Sequence, residues 1–171
     1  MGPGDELVDV IDEQCRTVGT VTRREMRARR LPHRCTYVLV FNRCGELFVH
    51  LRTATKDVYP SHWDVAVGGV LAAGETFDRG AARELREELG VEAELVALFP
   101  FRYADERSVV QAMAYRAVHD GPFSLQPEEV VRGEFVPPGA VAARAARERF
   151  CPDGLAVLAE HLRLAKGAGG G

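Results

Sequence analysis

No stretch of the chain approaches the roughly 18 consecutive apolar residues of a membrane span. The first residues carry Asp5 and Glu6 and lack the basic-then-apolar pattern of a secretion signal. The cytoplasm is therefore the expected compartment. Cysteine is scarce and scattered. Cys15, Cys35, Cys44 and Cys151 form no Cys-x-x-Cys, which excludes the common zinc patterns and a disulfide framework. They read as buried or idle thiols. Charge of one sign is lacking too: 22 Lys and Arg against 25 Asp and Glu leave −3. That balance argues against nucleic-acid or membrane partners. No internal repeat is present. What remains, 171 residues with 46% hydrophobic and 27% charged, suits one globular domain. We place the domain at residues 1–166 and expect 167–171, four glycines and an alanine, to be a disordered tail.

The chain alternates strand and turn signals. Leu7 to Asp12 and Val18 to Val21 read as short strands. Thr22-Arg-Arg-Glu25 is a capping box, opening a basic helix that must stop near Leu31, before Pro32. Its arginines 23, 24, 27, 29 and 30 are read as a solvated face in preference to a phosphate patch. Cys35 to Phe41 is a β-branched, aromatic strand, and Glu46 to Arg52 its hairpin partner. Strands are expected over Glu94–Arg102, Ser108–Val118 and Gly133–Val136. Helices are expected from Pro137 to about Arg149 and over Leu155–Leu164. His50 and His119 are assigned to the surface, His62 to the rim of the site and His161 to the last helix.

The stretch from Gly69 to Val91 holds the chemistry. Thr76 is a plausible N-cap, Asp78 complements the positive helix end, and Gly90 fits the left-handed stop. Ala81, Leu85 and Leu89 recur every four residues as an apolar stripe. Glu84, Glu87 and Glu88 share the neighbouring stripe. On a bare helix such like charges repel by only ~0.2–0.5 kcal/mol per pair. Spacing alone thus allows a solvated acidic face as readily as a site for a hard divalent cation, which takes oxygen ligands.

The arrangement Gly-x5-Glu-x7-Arg-Glu-aliphatic-x-Glu-Glu-x-Gly-aliphatic is present at Gly69, Glu75, Arg83, Glu84, Leu85, Glu87, Glu88, Gly90 and Val91. It resembles the signature of the Nudix hydrolases, with a Nudix box at 69–91. The resemblance implies an α/β (α+β) fold, an αβα sandwich with a mixed central sheet. It implies Mg²⁺- or Mn²⁺-dependent attack of water on a diphosphate linkage of a small-molecule substrate, and leaves a homodimer open. Gly69, Glu84, Glu87 and Glu88 would hold the metal. Glu75 and Arg83 would fix the loop against the helix. Glu129, with Glu128 as its neighbour, matches a further family position for a base or ligand.

A second likeness runs from Thr22 to Gly69. His33-Arg34, Phe41-Asn42 and Arg52-x3-Lys56-x2-Tyr59-Pro60-x2-Trp63 resemble the type I isopentenyl-diphosphate isomerases, a Nudix branch. It implies that Arg52 and Lys56 bind the diphosphate, and it makes His33 a substrate or metal contact. The isomerase cysteine position, however, is Gly68, and the following histidine position is Val70. An isomerase-like enzyme and a non-catalytic sensor of a nucleotide derivative are the alternatives to a hydrolase. Tyr59, Trp63, Phe101 and Tyr103 are aromatic candidates for substrate stacking, with packing roles as plausible.

Overall fold

The computed structural model describes residues 1–170. Strands β1 (Leu7–Ile11) and β2 (Thr17–Thr22) pair antiparallel as a separate ribbon. Thr22 then caps helix α1 (Arg23–Arg29), its hydroxyl accepting the Glu25 N–H at 3.2 Å. The main sheet contains β3 (His33–Phe41), β4 (Leu47–Arg52), β5 (Trp63–Asp64), β6 (Val96–Ala104), β7 (Val109–Val118) and β8 (Val130–Val136). Its order is β5-β4-β3-β7-β6, with β8 also on β4. β3 and β7 run parallel and the other pairs antiparallel, so the sheet is mixed, as expected.

Helix α2 (Phe77–Leu89) covers one face of the sheet, and α3 (Val141–Ala145) and α4 (Pro152–Ala168) cover the other. β3 shows why both faces are dry. Cys35, Tyr37, Leu39 and Phe41 pack with Val141, Val157 and Leu158. Val38 and Val40 pack with Ala81, Leu85 and Leu89 of α2. Side chains alternate across a strand, so a central strand covered twice is apolar throughout.

The expected hairpin is only partly formed. β3 and β4 share one register pair, Phe41 with Leu47. Residues 63–70 then cross between them: Trp63 and Asp64 pair with β4, Val67 and Val70 with β3. Thr36 N–H donates to the Gly69 carbonyl at 3.0 Å, and Val38 N–H to Val67 at 2.6 Å. Gly68 permits this. A Cβ there would overlap the Thr36 carbonyl. The substitution of one partner for another opens a gap in the sheet, and the gap becomes the site.

Three assignments differ from the sequence reading. The alanine-rich helix is short, because Arg149 offers its carbonyl to Trp63 N–H at 2.8 Å and Phe150 pairs beside Trp63. Tertiary pairing overrides local propensity there. α4 reaches Ala168, so Gly167 and Ala168 of the expected tail are helical; Gly171 lies outside the described residues. His50 is buried rather than on the surface, because β4 is flanked by two strands and covered on both faces.

Candidate active site

α2 carries the acidic stripe. Thr76 caps it by accepting the Arg79 N–H at 3.3 Å, and Gly90 ends it with φ of 68°. Ala81, Leu85 and Leu89 anchor it to the sheet. That docking turns Glu88 inward, lays Glu84 against the sheet gap and leaves Glu87 half exposed. Gly69 lies under Glu84: a Cβ there would come within 2.8 Å of Oε1. Only glycine lets this loop backbone approach the carboxylate so closely.

Arg83 holds the acids together. Its Nε and Nη2 donate to the two Glu75 oxygens at 2.8 and 2.9 Å. Its Nη1 donates to Glu84 at 2.9 Å and to Glu87 at 3.1 Å. The hydrogen bonds from Arg83 and the Ala72 N–H hold Glu75 below its usual range against the opposing effect of burial. The loop–helix ion pair is thus present as expected.

Burial dominates deeper in. It pushes Glu88 up to about 8, with the charge of Glu84 adding to it. His50 Nε2 stands 3.8 Å from a Glu88 oxygen. Burial lowers His50 to about 3, so that contact is no salt bridge at neutral pH: the imidazole is uncharged. Burial also raises Glu84, against the pull of Arg83.

Glu84, Glu87 and Glu88 line one cavity of about 270 Å³ together with Gly69, Arg52, Lys56, Arg83 and Glu129, and Glu75 lies outside the lining. Arg52 is tied down by the Val58 and Tyr59 carbonyls at 2.8 and 3.3 Å and stands 3.7 Å from Asp64. Lys56 is ion-paired with Glu129. Glu128 is exposed and outside the lining. His33 is also outside it: the ring is buried, Nδ1 meets the Leu31 carbonyl at 2.8 Å, and burial lowers it to about 4. Tyr59 and Tyr103 face the cavity, whereas Trp63 stacks on Phe150 and Phe101 packs edge-on to Tyr37.

Several cavity residues had no sequence signal pointing to them, four polar ones at the β5–α4 end among them, and two arginines were read otherwise. Tyr37, Asp64, Cys151 and Asp153 come from β3, β5 and the start of α4. Their composition is ordinary, and only the fold gathers them. Arg23 and Arg27 also face the cavity, at 3.8 and 3.1 Å from Asp57, while Arg24, Arg29 and Arg30 pair elsewhere. Their spacing of four residues puts both on one helix face.

Among the described residues, no three acidic, histidine or cysteine groups stand ready around one point. Arg83 fills the space between Glu84 and Glu87. The donor set still fits a divalent ion. It is oxygen throughout, and Glu88 is a buried carboxyl that no cationic side chain neutralises directly. Hard cations take such oxygens.

The NUDIX domain family profile matches residues 31–153. An uncharacterized Nudix hydrolase of Pseudomonas aeruginosa is 40% identical over 158 residues, 92% of this chain and 94% of that protein. One from Streptomyces coelicolor is 41% identical over 99% of this chain and 95% of its own length. Among solved structures, DR0079 of Deinococcus radiodurans superposes with a TM-score of 0.77 at 28% identity, covering 91% of this chain and 98% of that one. On the matched profile, these relatives and the box at 69–91, the chain belongs to the Nudix hydrolases, enzymes that act on phosphorus-containing acid anhydrides.

Proposed function

We propose that the protein is a Mg²⁺- or Mn²⁺-dependent diphosphohydrolase acting on an organic diphosphate or a nucleoside diphosphate linked to another group. The observation that carries this reading is the convergence of the acidic face of α2, the Gly69 carbonyl, Arg52 and Lys56 on one cavity. Glu84, Glu87, Glu88 and Gly69 would hold the ion. The Gly69 carbonyl accepts one hydrogen bond, from Thr36, and keeps a lone pair free. A divalent ion bound there supplies positive charge to diphosphate oxygens and activates water.

The protein's own groups do the rest. Arg52, pinned by two carbonyls, presents a preset planar fork to phosphate oxygens. Lys56, lowered by burial and by the charge of Arg52, is a shorter-range partner held in place by Glu129. A phosphate that takes Lys56 releases Glu129, whose carboxylate then becomes free to accept a proton from attacking water. Arg83 spaces the acids and keeps Glu75 in the loop.

The isomerase alternative is weakened by Gly68, where packing against Thr36 leaves no room for any side chain, least of all a thiol. Retention of every box carboxylate weighs against a sensor that has lost catalysis. The test is product release from a panel of nucleoside diphosphate derivatives and organic diphosphates, with and without Mg²⁺. We expect turnover of at least one compound, at least 100-fold lower in Glu87→Gln at unchanged melting temperature. Equal rates in the wild type and Glu87→Gln would remove the assignment.

A further inference from the structure

The cavity has a second polar end, which the phosphate chemistry does not use. Asp153 lies in the first turn of α4 and lines the cavity. Its Oδ2 accepts the Tyr37 hydroxyl at 2.9 Å, and its Oδ1 accepts the Gly154 N–H at 2.9 Å. Among the described residues no lysine or arginine pairs with it, in contrast to Asp64, which has Arg52 at 3.7 Å. Asp64 stands behind it. A Cβ on Gly154 would strike the Asp64 carboxylate, so the start of α4 is packed directly on that side chain. Burial and the Asp153 charge push Asp64 up to about 7.

The wall around Asp153 is largely polar. Tyr37, Tyr103 and Ser108 line it, and Val110 adds an apolar patch. An alkyl tail seated here would strip water from the Asp153 carboxylate and return nothing.

Resting on the diphosphohydrolase reading, we infer that Asp153, positioned by Tyr37, is a specificity residue that accepts a hydrogen bond from a hydroxyl or amino group on the organic part of the substrate. The substrate class is then a polar diphosphate, with a donor on the group carried beyond the diphosphate. Plain alkyl and isoprenyl diphosphates are poor occupants. Asp153 does not touch the reacting phosphorus. Tyr37 acts on it as a positioning residue, its hydroxyl fixing one carboxylate oxygen so that the other lone pairs face the cavity.

The probes are alkyl diphosphates of three to six carbons, their ω-hydroxy counterparts and their ω-amino counterparts. Affinity is measured by calorimetry with Ca²⁺, and kcat/KM with Mg²⁺. At the chain length that spans the cavity, a donor should improve both by about tenfold, as for a hydrogen bond to a charged acceptor. Asp153→Asn, which retains the shape and helix start, should lose most of that preference. Tyr37→Phe should weaken it, chiefly through KM. The hydroxyl and amino arms tell which donor is preferred. Hydrolysis with no donor preference at any length overturns this inference and leaves the hydrolase reading standing. A donor preference in binding that needs Asp153, without hydrolysis, supports the inference and removes the hydrolase reading. A preference that survives Asp153→Asn and Asp153→Ala in folded protein overturns the assignment to Asp153.

Discussion

Arg83→Ala takes one guanidinium from among three carboxylates. Four short hydrogen bonds go with it, two of them the bidentate pair to Glu75 at 2.8 and 2.9 Å. The Glu75 and Glu84 side chains are each 13% exposed, so water can do little to replace the lost partner. Breaking a buried pair in this way costs ~3–5 kcal/mol. Arg83 itself is 28% exposed, and screening reduces the expectation to about 2–4 kcal/mol. Glu75→Ala should cost less, because Arg83 retains Glu84 and Glu87. Urea unfolding of the wild type, both single variants and the double variant gives the coupling. We expect about 1–2 kcal/mol. Additive losses, within ~0.5 kcal/mol, would refute the claim that the pair holds the loop on the helix.

Gly68→Ala should destabilise the protein by about 3 kcal/mol through the clash with the Thr36 carbonyl, read from the denaturation midpoint. An unchanged midpoint would mean that the strand gap is wider than described. Isopentenyl diphosphate incubated with Mg²⁺ in D₂O should gain no deuterium by NMR; label appearing at catalytic rates would restore the isomerase reading. His33, lowered by burial to about 4 from an ordinary 6.5, is neutral when folded. Its unfolded form takes up a proton first, so the stabilising contribution is complete above pH 6.5 and is lost as pH falls towards 4. The wild-type advantage over His33→Asn should shrink by about 2 kcal/mol between pH 7 and pH 4.5, and a constant advantage would mean that His33 does not titrate as a buried ring.

The acidic stripe, its helix and both helix caps were legible in the sequence, because each depends on residues within four positions of one another. Arg83 with Glu75 was legible only through the family pattern. The mixed sheet followed from that pattern too. What was not legible is what depends on distant chain segments meeting. The β3–β4 hairpin reads normally along its length, and nothing local says that residues 63–70 will displace most of the pairing. His50 looked like a surface residue because its polarity is visible and the β5 and β8 neighbours are not. Asp153 sits in an ordinary Pro-Asp-Gly turn signal, 116 residues from the tyrosine that orients it. Arg23 and Arg27 share a helix with arginines that face solvent, and only the position of Asp57 separates the two sets.

The central claim is that water attacks phosphorus at a carboxylate-held divalent cation. A single turnover in H₂¹⁸O with Mg²⁺, followed by ³¹P NMR, tests it on whichever diphosphate of the panel is cleaved. The account predicts one ¹⁸O in a phosphate product and no product with Glu87→Gln. Label in the organic alcohol, or labelled phosphate formed equally without Mg²⁺, would contradict it.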